Sequence, residues 1–311
     1  MERIPKVYII LLNWNNWHLT KDCLESLQNL NYDNYQIIIV DNNSKSGEKN
    51  TIKNSPLKNN FILIENEKNL GFAGGNNVGI KYALNHNADY VLLLNNDTII
   101  EDKDFLKHLI RIVESNKRIG IAGLKIYFWQ DSTNKNIPKI WFGGGKINWL
   151  KTQGKHLDFN KIEKTDQNPY IKKVDYITGC CLLIKKEVVE KIGTMPEEYF
   201  LYYEDADWCL SARQIGYLCV YVPFVWIWHK VSSTNIEFSY SYIYYLTRNG
   251  LLMAWRQNEF LKRILLILFS FWVLGKQLIK ILINYRRDWA MPVIHGIFDF
   301  YRGKFGKIEK T

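Results

Sequence analysis

Three carboxylates fall within four residues in Tyr199-Phe200-Leu201-Tyr202-Tyr203-Glu204-Asp205-Ala206-Asp207-Trp208, just ahead of the helix-like Cys209-Leu210-Ser211-Ala212-Arg213. Acids at a helix start are stabilised by the helix dipole and the free backbone N–H groups, and for an isolated cluster that is explanation enough. Two distant features add chemistry. Leu92-Leu93-Leu94-Asn95-Asn96-Asp97-Thr98 ends an apolar run on Asp97, and Pro223-Phe224-Val225-Trp226-Ile227-Trp228-His229 ends another on His229. An acid, an acidic cluster and a histidine, each closing a buried-looking element, suggest one metal ion and one general base in a shared cleft.

A carboxylate at Asp97 can hold Mg²⁺ or Mn²⁺ against a diphosphate, because such hard cations keep few protein ligands and take the rest from phosphate and water. His229 is the second candidate ligand, although a lone histidine is more often a hydrogen-bonded core residue. A general base must come within about 3 Å of the hydroxyl it deprotonates. Glu204, Asp205 and Asp207 compete for that role; on a helix the three cannot all face one hydroxyl, and spacing alone does not choose. In Val40-Asp41-Asn42-Asn43-Ser44, Asp41 ends a strand, where an acid can accept from a base N–H or a ribose hydroxyl or simply make a turn. Asn69-Leu70-Gly71-Phe72-Ala73-Gly74-Gly75-Asn76-Asn77-Val78-Gly79 is a glycine-rich strand-to-helix turn, suited to close approach of a ligand and to a pyrophosphate at the helix N-terminus. It matches neither G-x-G-x-x-G, since residue 73 is alanine, nor the G-K-[ST] of a P-loop, which disfavours a dehydrogenase or a P-loop ATPase.

Alternating strand and helix signals must position these residues. Strands are expected at Val7 to Leu12, Gln36 to Val40, Phe61 to Ile64, Tyr90 to Leu94 and Ile119 to Ala122, with helices at Thr20 to Leu30, Asn76 to Leu84 and Phe105 to Glu114. Such alternation implies βαβ units and a largely parallel sheet, in which ligands bind beyond the carboxyl ends of the strands. Asn13, Asp41, Glu65 and Asn95 to Asp97 fall at those ends. From Lys125 to about Thr178 the pattern weakens; Gly143-Gly144-Gly145 and the charged stretch from Lys151 to Lys173 read as a hairpin and a mobile loop. Order returns with Val174 to Ile184, a helix near Glu187 to Ile192, the acidic helix and a strand at Leu218 to Val222. A helical region is expected from about Phe238 to the end.

The chain has 311 residues, 47% apolar and 23% charged, ordinary globular composition with ample core. The start, Met1-Glu2-Arg3-Ile4-Pro5-Lys6, has no apolar signal region, so a cytosolic product is expected. The five cysteines show no metal-ligand pairing and read as buried thiols in a reducing compartment. The net charge of +10 is unevenly placed: residues from Leu246 on carry 12 Lys/Arg against 4 Asp/Glu. That tail also holds the uncharged run Ile264 to Gly275, too short to span a bilayer, which needs about 20 residues. Lys276 and Lys280 interrupt its continuation. A basic, aromatic-rich amphipathic segment suits the face of an anionic membrane; the alternative is a core helix with a solvated edge.

Taken together, Asn13-Trp14-Asn15, Asp41 to Ser44, Asn69 to Asn77, Asn95-Asn96-Asp97-Thr98, Gly179-Cys180-Cys181, Tyr203 to Asp207 and Trp228-His229 resemble the family 2 inverting glycosyltransferases of GT-A fold, in the rhamnosyltransferase- and galactofuranosyltransferase-like branch. The match covers about residues 5 to 250. The resemblance implies an α/β fold with a Rossmann-like, mostly parallel sheet and helices on both faces. It divides the chain into a catalytic domain, 1–245, and a basic, apolar helical C-terminal region, 246–311. It implies transfer of a sugar, with dTDP-rhamnose a candidate donor, from a nucleotide-diphospho-sugar to a glycan or lipid-linked acceptor in cell-surface polysaccharide assembly. By resemblance Asp205 is the catalytic base, with Glu204, Gly179 and Asp207 on the acceptor side. Asn13, Asp41, Asn69, Gly71, Gly75, Asn76, Asn95 and Asn96 line the donor side, and Asp97 and His229 hold Mg²⁺ or Mn²⁺. The chain departs from the fuller motif at Asn95, where the family has an acid. The expected site of action is the cytoplasmic face of the membrane. The rival readings are a nucleic-acid-binding protein, which predicts strong salt-dependent binding but fits poorly with basic charge placed in an apolar tail, and an inactive sugar-binding scaffold.

Overall fold

A computed structural model describes residues 3–28, 30–129, 138–162, 170–230 and 239–308. Residue 238, where the C-terminal helical region is expected to start, lies outside them. The first half is β1 (Val7–Asn13), α1 (Trp17–Ser26), β2 (Tyr35–Asp41), α2 (Ser46–Lys53), β3 (Ile62–Glu65), α3 (Gly71–Asn85), β4 (Tyr90–Asn95), β5 (Thr98–Ile99) and α4 (Phe105–Glu114). Then come β6 (Ile119–Phe128), β7 (Ile140–Phe142), β8 (Gly145–Asn148), β9 (Gln153–His156), β10 (Lys172–Lys173) and β11 (Cys181–Lys185). The last part is α5 (Lys186–Ile192), α6 (Glu204–Gln214), β12 (Leu218–His229), α7 (Tyr240–Gln257), α8 (Phe260–Leu282) and α9 (Arg287–Tyr301).

The main sheet runs β10-β12-β6-β11-β4-β1-β2-β3. β3, β2, β1 and β4 are mutually parallel, as the alternation of strands and helices requires. β11 enters antiparallel between β4 and β6, and β12 lies parallel to β6, so the sheet is mixed. Every residue from Val7 to Leu11 is buried, which means both faces of the central strand are covered, as continuous apolar runs predict. α3 covers one of them: a Cβ on Gly75 or Gly79 would lie 2.5 Å from Leu12 or 2.8 Å from Ile10.

Several elements depart from the sequence reading. α3 starts at Gly71, five residues earlier than expected, and turns most of the glycine-rich segment into helix. The polar loop after β2 contains α2. Part of the stretch expected to be a mobile loop is ordered as β9 and β10, with β8 and β9 forming a two-stranded hairpin. The expected boundary at residue 245 falls inside α7.

β12 contains the irregularity that matters most for the site. Val222 pairs with Leu124 and Trp226 with Lys125, which leaves Pro223, Phe224 and Val225 outside the ladder. Proline cannot donate to the ladder and is tolerated at such bulges. Three extra residues draw the strand end back by about 10 Å, at about 3.3 Å per residue. His229 therefore pairs with Phe128 on one side and with Thr98 of β5 on the other.

Candidate active site

The carboxyl ends of β1, β2, β3 and β4 are Asn13, Asp41, Glu65 and Asn95, and Asn13 is in register with Asp41 and Asp41 with Glu65. Asn13 is fully buried and its Nδ2 donates to Asp41 Oδ1 (2.9 Å), Ser44 Oγ (3.1 Å) and Glu48 Oε1 (3.2 Å). The other Asp41 oxygen accepts from the Ser44 backbone N–H at 3.0 Å. Asp41 has no exposed surface; in this structure it braces the loop after β2. Asn69 Oδ1 accepts from Asn42 Nδ2 and from the Gly71 N–H. Asn42, which lies in the Asp41 to Ser44 motif but carries no role of its own in the sequence reading, is the hub here: its Oδ1 accepts from Asn66 Nδ2 and Leu70 N–H, and its Nδ2 also donates to Gly71 O. Glu48, on the unforeseen α2, also accepts from the Trp17 N–H at 2.8 Å.

Within the glycine-rich segment, close packing inside the protein accounts for the small residues. Gly71 has φ 75°, and a Cβ there would lie 2.3 Å from Phe200 O, while the Phe72 N–H donates to that same carbonyl. Gly75 fits against Leu12. Asn76 donates to Phe72 O one helical turn back, and Asn77 ties α3 to Met195 and Glu197. None of Asn13, Asp41, Asn69, Gly71, Gly75, Asn76 or Asn96 is among the residues lining the main cavity. Asn96 instead donates to Thr20 Oγ1.

The cavity has a volume of about 990 Å³, and it gathers Asn95, Asp97, Gly179, Glu204, Asp205 and His229. Asp97 Oδ1 lies 3.0 Å from His229 Nε2, with both side chains mostly buried. Asp97 Oδ1 and His229 Nδ1 have no hydrogen-bond partner, so neither atom is committed to another group of the protein. Two ligands on adjacent corners of an octahedral cation with bonds of 2.0–2.1 Å also sit about 3 Å apart. The pair thus fits a hard divalent ion. Among the described residues no third His, Cys, Asp or Glu completes a cluster, so most of the coordination shell would come from ligand and water.

α6 begins at Glu204 after Tyr203, whose φ of 75° turns the chain sharply into the helix. Asp205 Oδ2 accepts from the Gly179 N–H at 2.8 Å and Oδ1 from the Ala206 N–H at 2.7 Å. Burial pushes the Asp205 carboxyl above the usual carboxylate range, and the two N–H groups pull the other way. Glu204 lies beside it with Oε2 buried and unpartnered. Burial, and then the charge of Asp205, raise it well above its ordinary value. Asp207 does not join them. It faces α7, where Arg256 Nε sits 2.9 Å from Oδ2 and Gln257 Nε2 donates to Oδ1. The expected acceptor-side role of Asp207 finds no support in this orientation: its carboxylate ties α6 to α7. Asp207→Asn should therefore lower stability by about 1–3 kcal/mol, the cost of an impaired buried polar pair, with kcat close to wild type. A melting curve and a rate measurement on the same preparation check this, and a dead but stable variant would return Asp207 to the site.

His156 is a site residue without any sequence signal. It lines the same cavity from β9, with Nδ1 donating to Trp141 O at 3.3 Å. Burial lowers its pKa to about 4; it is a neutral imidazole at pH 7. Trp141 in turn meets the His229 ring edge-on, with centroids 4.5 Å apart.

Residues 8–193 match the family model described as glycosyl transferase family 2. The chain belongs to glycosyl transferase family 2. Similar relatives include the low-salt glycan biosynthesis hexosyltransferase Agl10 of Haloferax volcanii, 26% identical over 285 residues, 88% of this chain and 85% of that protein. The dTDP-rhamnosyl transferase RfbF of Shigella flexneri is 26% identical over 266 residues, 81% of each chain. Among solved structures, the mannosyltransferase PcManGT of Pyrobaculum calidifontis, in complex with GDP-Man and Mn²⁺, superposes with a TM-score of 0.59 at 12% identity, over 97% of this chain and 89% of that one. The GT-A fold implied by the motifs is thus the fold observed, in a family 2 glycosyltransferase.

Proposed function

We propose that this family 2 glycosyltransferase is an inverting, metal-dependent enzyme that moves a sugar, with rhamnose the first candidate, from a nucleotide-diphospho-sugar to a lipid-linked glycan acceptor at a membrane surface. Asp205 carries this reading: a desolvated carboxylate held by two backbone N–H groups, lining the same cavity as the Asp97–His229 pair. In an inverting transfer the acceptor hydroxyl attacks the anomeric carbon from the face opposite the leaving diphosphate. Asp205 takes the hydroxyl proton as the C–O bond forms. The Gly179 N–H fixes the carboxylate orientation, and the raised pKa makes it a better base than a solvated aspartate. A bound divalent cation supplies positive charge for the departing diphosphate, and Asp97 and His229 are the residues that would hold it. Asn95 stands where the family has an acid; it lines the cavity but adds no charge to that site. Asn13, Asp41, Asn42 and Asn69 are bonded within the protein and act from beneath, bracing the loops after β2 and β3 at the end of the sheet where the donor would bind.

The similarity to a dTDP-rhamnosyl transferase favours rhamnose, and incubation with dTDP-rhamnose, UDP-sugars and GDP-sugars in parallel tests it. Rhamnose incorporation into a lipid extract, with inverted anomeric configuration by NMR, supports the reading. A retained configuration overturns it.

A lipid-linked acceptor is favoured by the far wall of the cavity, where Leu246, Leu251, Phe269, Val273, Val293 and Ile297 come from α7, α8 and α9. α8 is long and apolar enough to cross a membrane, longer than the twelve-residue run suggested. Yet Leu266, Ser270 and Gln277 face inward, and Ser270 and Tyr301 pair their hydroxyls. The opposite face leaves Phe260, Leu261, Leu265, Leu268, Trp272 and Leu282 exposed. A helix with one face in the protein and one apolar face outward, among Lys262, Arg263, Lys276, Lys280, Arg286 and Arg287, suits an anionic membrane surface. Each basic residue contributes about 1 kcal/mol near such a surface, and salt screens it. Wild type should sediment with anionic vesicles at low salt, and Lys276→Glu/Lys280→Glu/Arg286→Glu/Arg287→Glu should sediment less. Indifference of wild type to anionic vesicles would make this face a protein contact and the acceptor a soluble one.

A further inference from the structure

The turn that delivers the acidic helix is held in a conformation ordinary residues avoid. Phe200, Tyr202 and Tyr203 have φ of 64°, 69° and 75°, and none of them is glycine. Left-handed backbone at non-glycine residues persists only where the surroundings over-determine it. The restraint comes from α7. Asn249 is fully buried, and its Nδ2 lies 2.9, 2.7 and 3.0 Å from the carbonyl oxygens of Tyr199, Leu201 and Tyr202. Arg248 is also buried. Its Nε donates to Asn249 Oδ1 at 2.9 Å, which fixes the amide so that its NH₂ meets the turn. The guanidinium also donates to Tyr199 O at 3.1 Å and to Gly306 O at 2.8 Å, and it packs over the rings of Tyr244 and Tyr245. Among the described residues Arg248 forms no ion pair, so a buried cation is committed here to carbonyls, a hydroxyl, an amide oxygen and π faces. The turn has two outputs. Its C-terminal end starts α6 with Glu204 and Asp205, and its Phe200 carbonyl receives the Phe72 N–H at the start of α3.

We propose that Arg248 and Asn249 are positioning residues for the reaction: they clamp the 199–203 turn so that Asp205 meets the acceptor hydroxyl, and they make the C-terminal helices part of the catalytic apparatus. The role of Asp205 in this statement rests on the function proposed above; the clamp itself rests on the turn geometry alone.

Asn249→Asp separates positioning from packing. The carboxylate keeps the shape and gains an ionic partner in Arg248, but it has no N–H to offer and repels the three carbonyl oxygens. Packing alone predicts that Asp is tolerated better than Ala. Positioning predicts that Asn249→Asp folds, binds nucleoside diphosphate with Mn²⁺ within about two-fold of wild type, and loses kcat by about 10–100-fold, as expected for a misplaced base. Hydrogen exchange provides the readout that does not depend on turnover: amides 199–205 should exchange faster in the variant while β1 and β4 keep their protection. Faster exchange with unchanged kcat would uphold the clamp and overturn its catalytic role. Unchanged exchange, or loss of stability and nucleotide affinity together with kcat, would overturn the clamp. An inactive wild type would count against the proposed function and leave the exchange result to decide the clamp.

Discussion

Asp205→Asn is expected to lower the transfer rate by about 10²–10⁴, the usual contribution of a general base, with donor affinity nearly unchanged. The amide keeps the size of the side chain and its Oδ still accepts from the Gly179 N–H, so the local structure has little reason to move. What is lost is the ability to take a proton. Since burial favours the neutral acid, the acid limb of the wild-type kcat profile should lie above the ordinary aspartate range: activity is present where Asp205 is ionised and falls as pH drops through its raised pKa. Glu204→Gln should leave kcat within about ten-fold. If the Gln variant is dead and the Asn variant active, the base is Glu204, whose buried Oε2 has no partner.

Chelation is expected to have the second largest effect. EDTA should stop turnover, and Mn²⁺ or Mg²⁺ should restore it. Asp97→Ala should weaken nucleoside diphosphate binding at least ten-fold when Mn²⁺ is present and much less without it, because on the proposed reading the variant removes one of the two protein ligands and leaves the remaining binding surface intact. Calorimetric titration of nucleoside diphosphate with and without Mn²⁺ reads this coupling directly. Full activity in EDTA would reduce Asp97 and His229 to a structural pair linking β5 to β12.

Much of this site was visible in the amino-acid order. The strand ends carry Asn13, Asp41, Asn95 and Asp97 because apolar runs stop there, and His229 ends an apolar run for the same reason. The contact between Asp97 and His229 was not derivable from spacing. It depends on the three-residue bulge at Pro223 to Val225, which pulls His229 level with Thr98. The choice among the three acids was also hidden, since Asp207 is turned away by Arg256 and Gln257, almost fifty residues downstream, and such tertiary pairing leaves no local pattern. The glycine-rich segment read as a ligand cradle because glycine permits close approach; here what approaches is Leu12, Ile10 and Phe200. The C-terminal tail read as an appendage from its charge and hydropathy, whereas two buried polar residues in it, Arg248 and Asn249, hold the turn before the acidic helix. Buried polar side chains cannot be told from exposed ones by composition.

The most direct test of the central claim is nucleotide-sugar turnover without an acceptor. Slow hydrolysis uses water in place of the acceptor hydroxyl, so no knowledge of the acceptor is needed. Wild type incubated with dTDP-rhamnose and a panel of UDP- and GDP-sugars should release nucleoside diphosphate from at least one of them in the presence of Mn²⁺. Release should cease with EDTA and fall at least a hundred-fold in Asp205→Asn. Hydrolysis that proceeds equally in Asp205→Asn, or a properly folded wild type that neither binds nor cleaves any of these donors, would contradict the account.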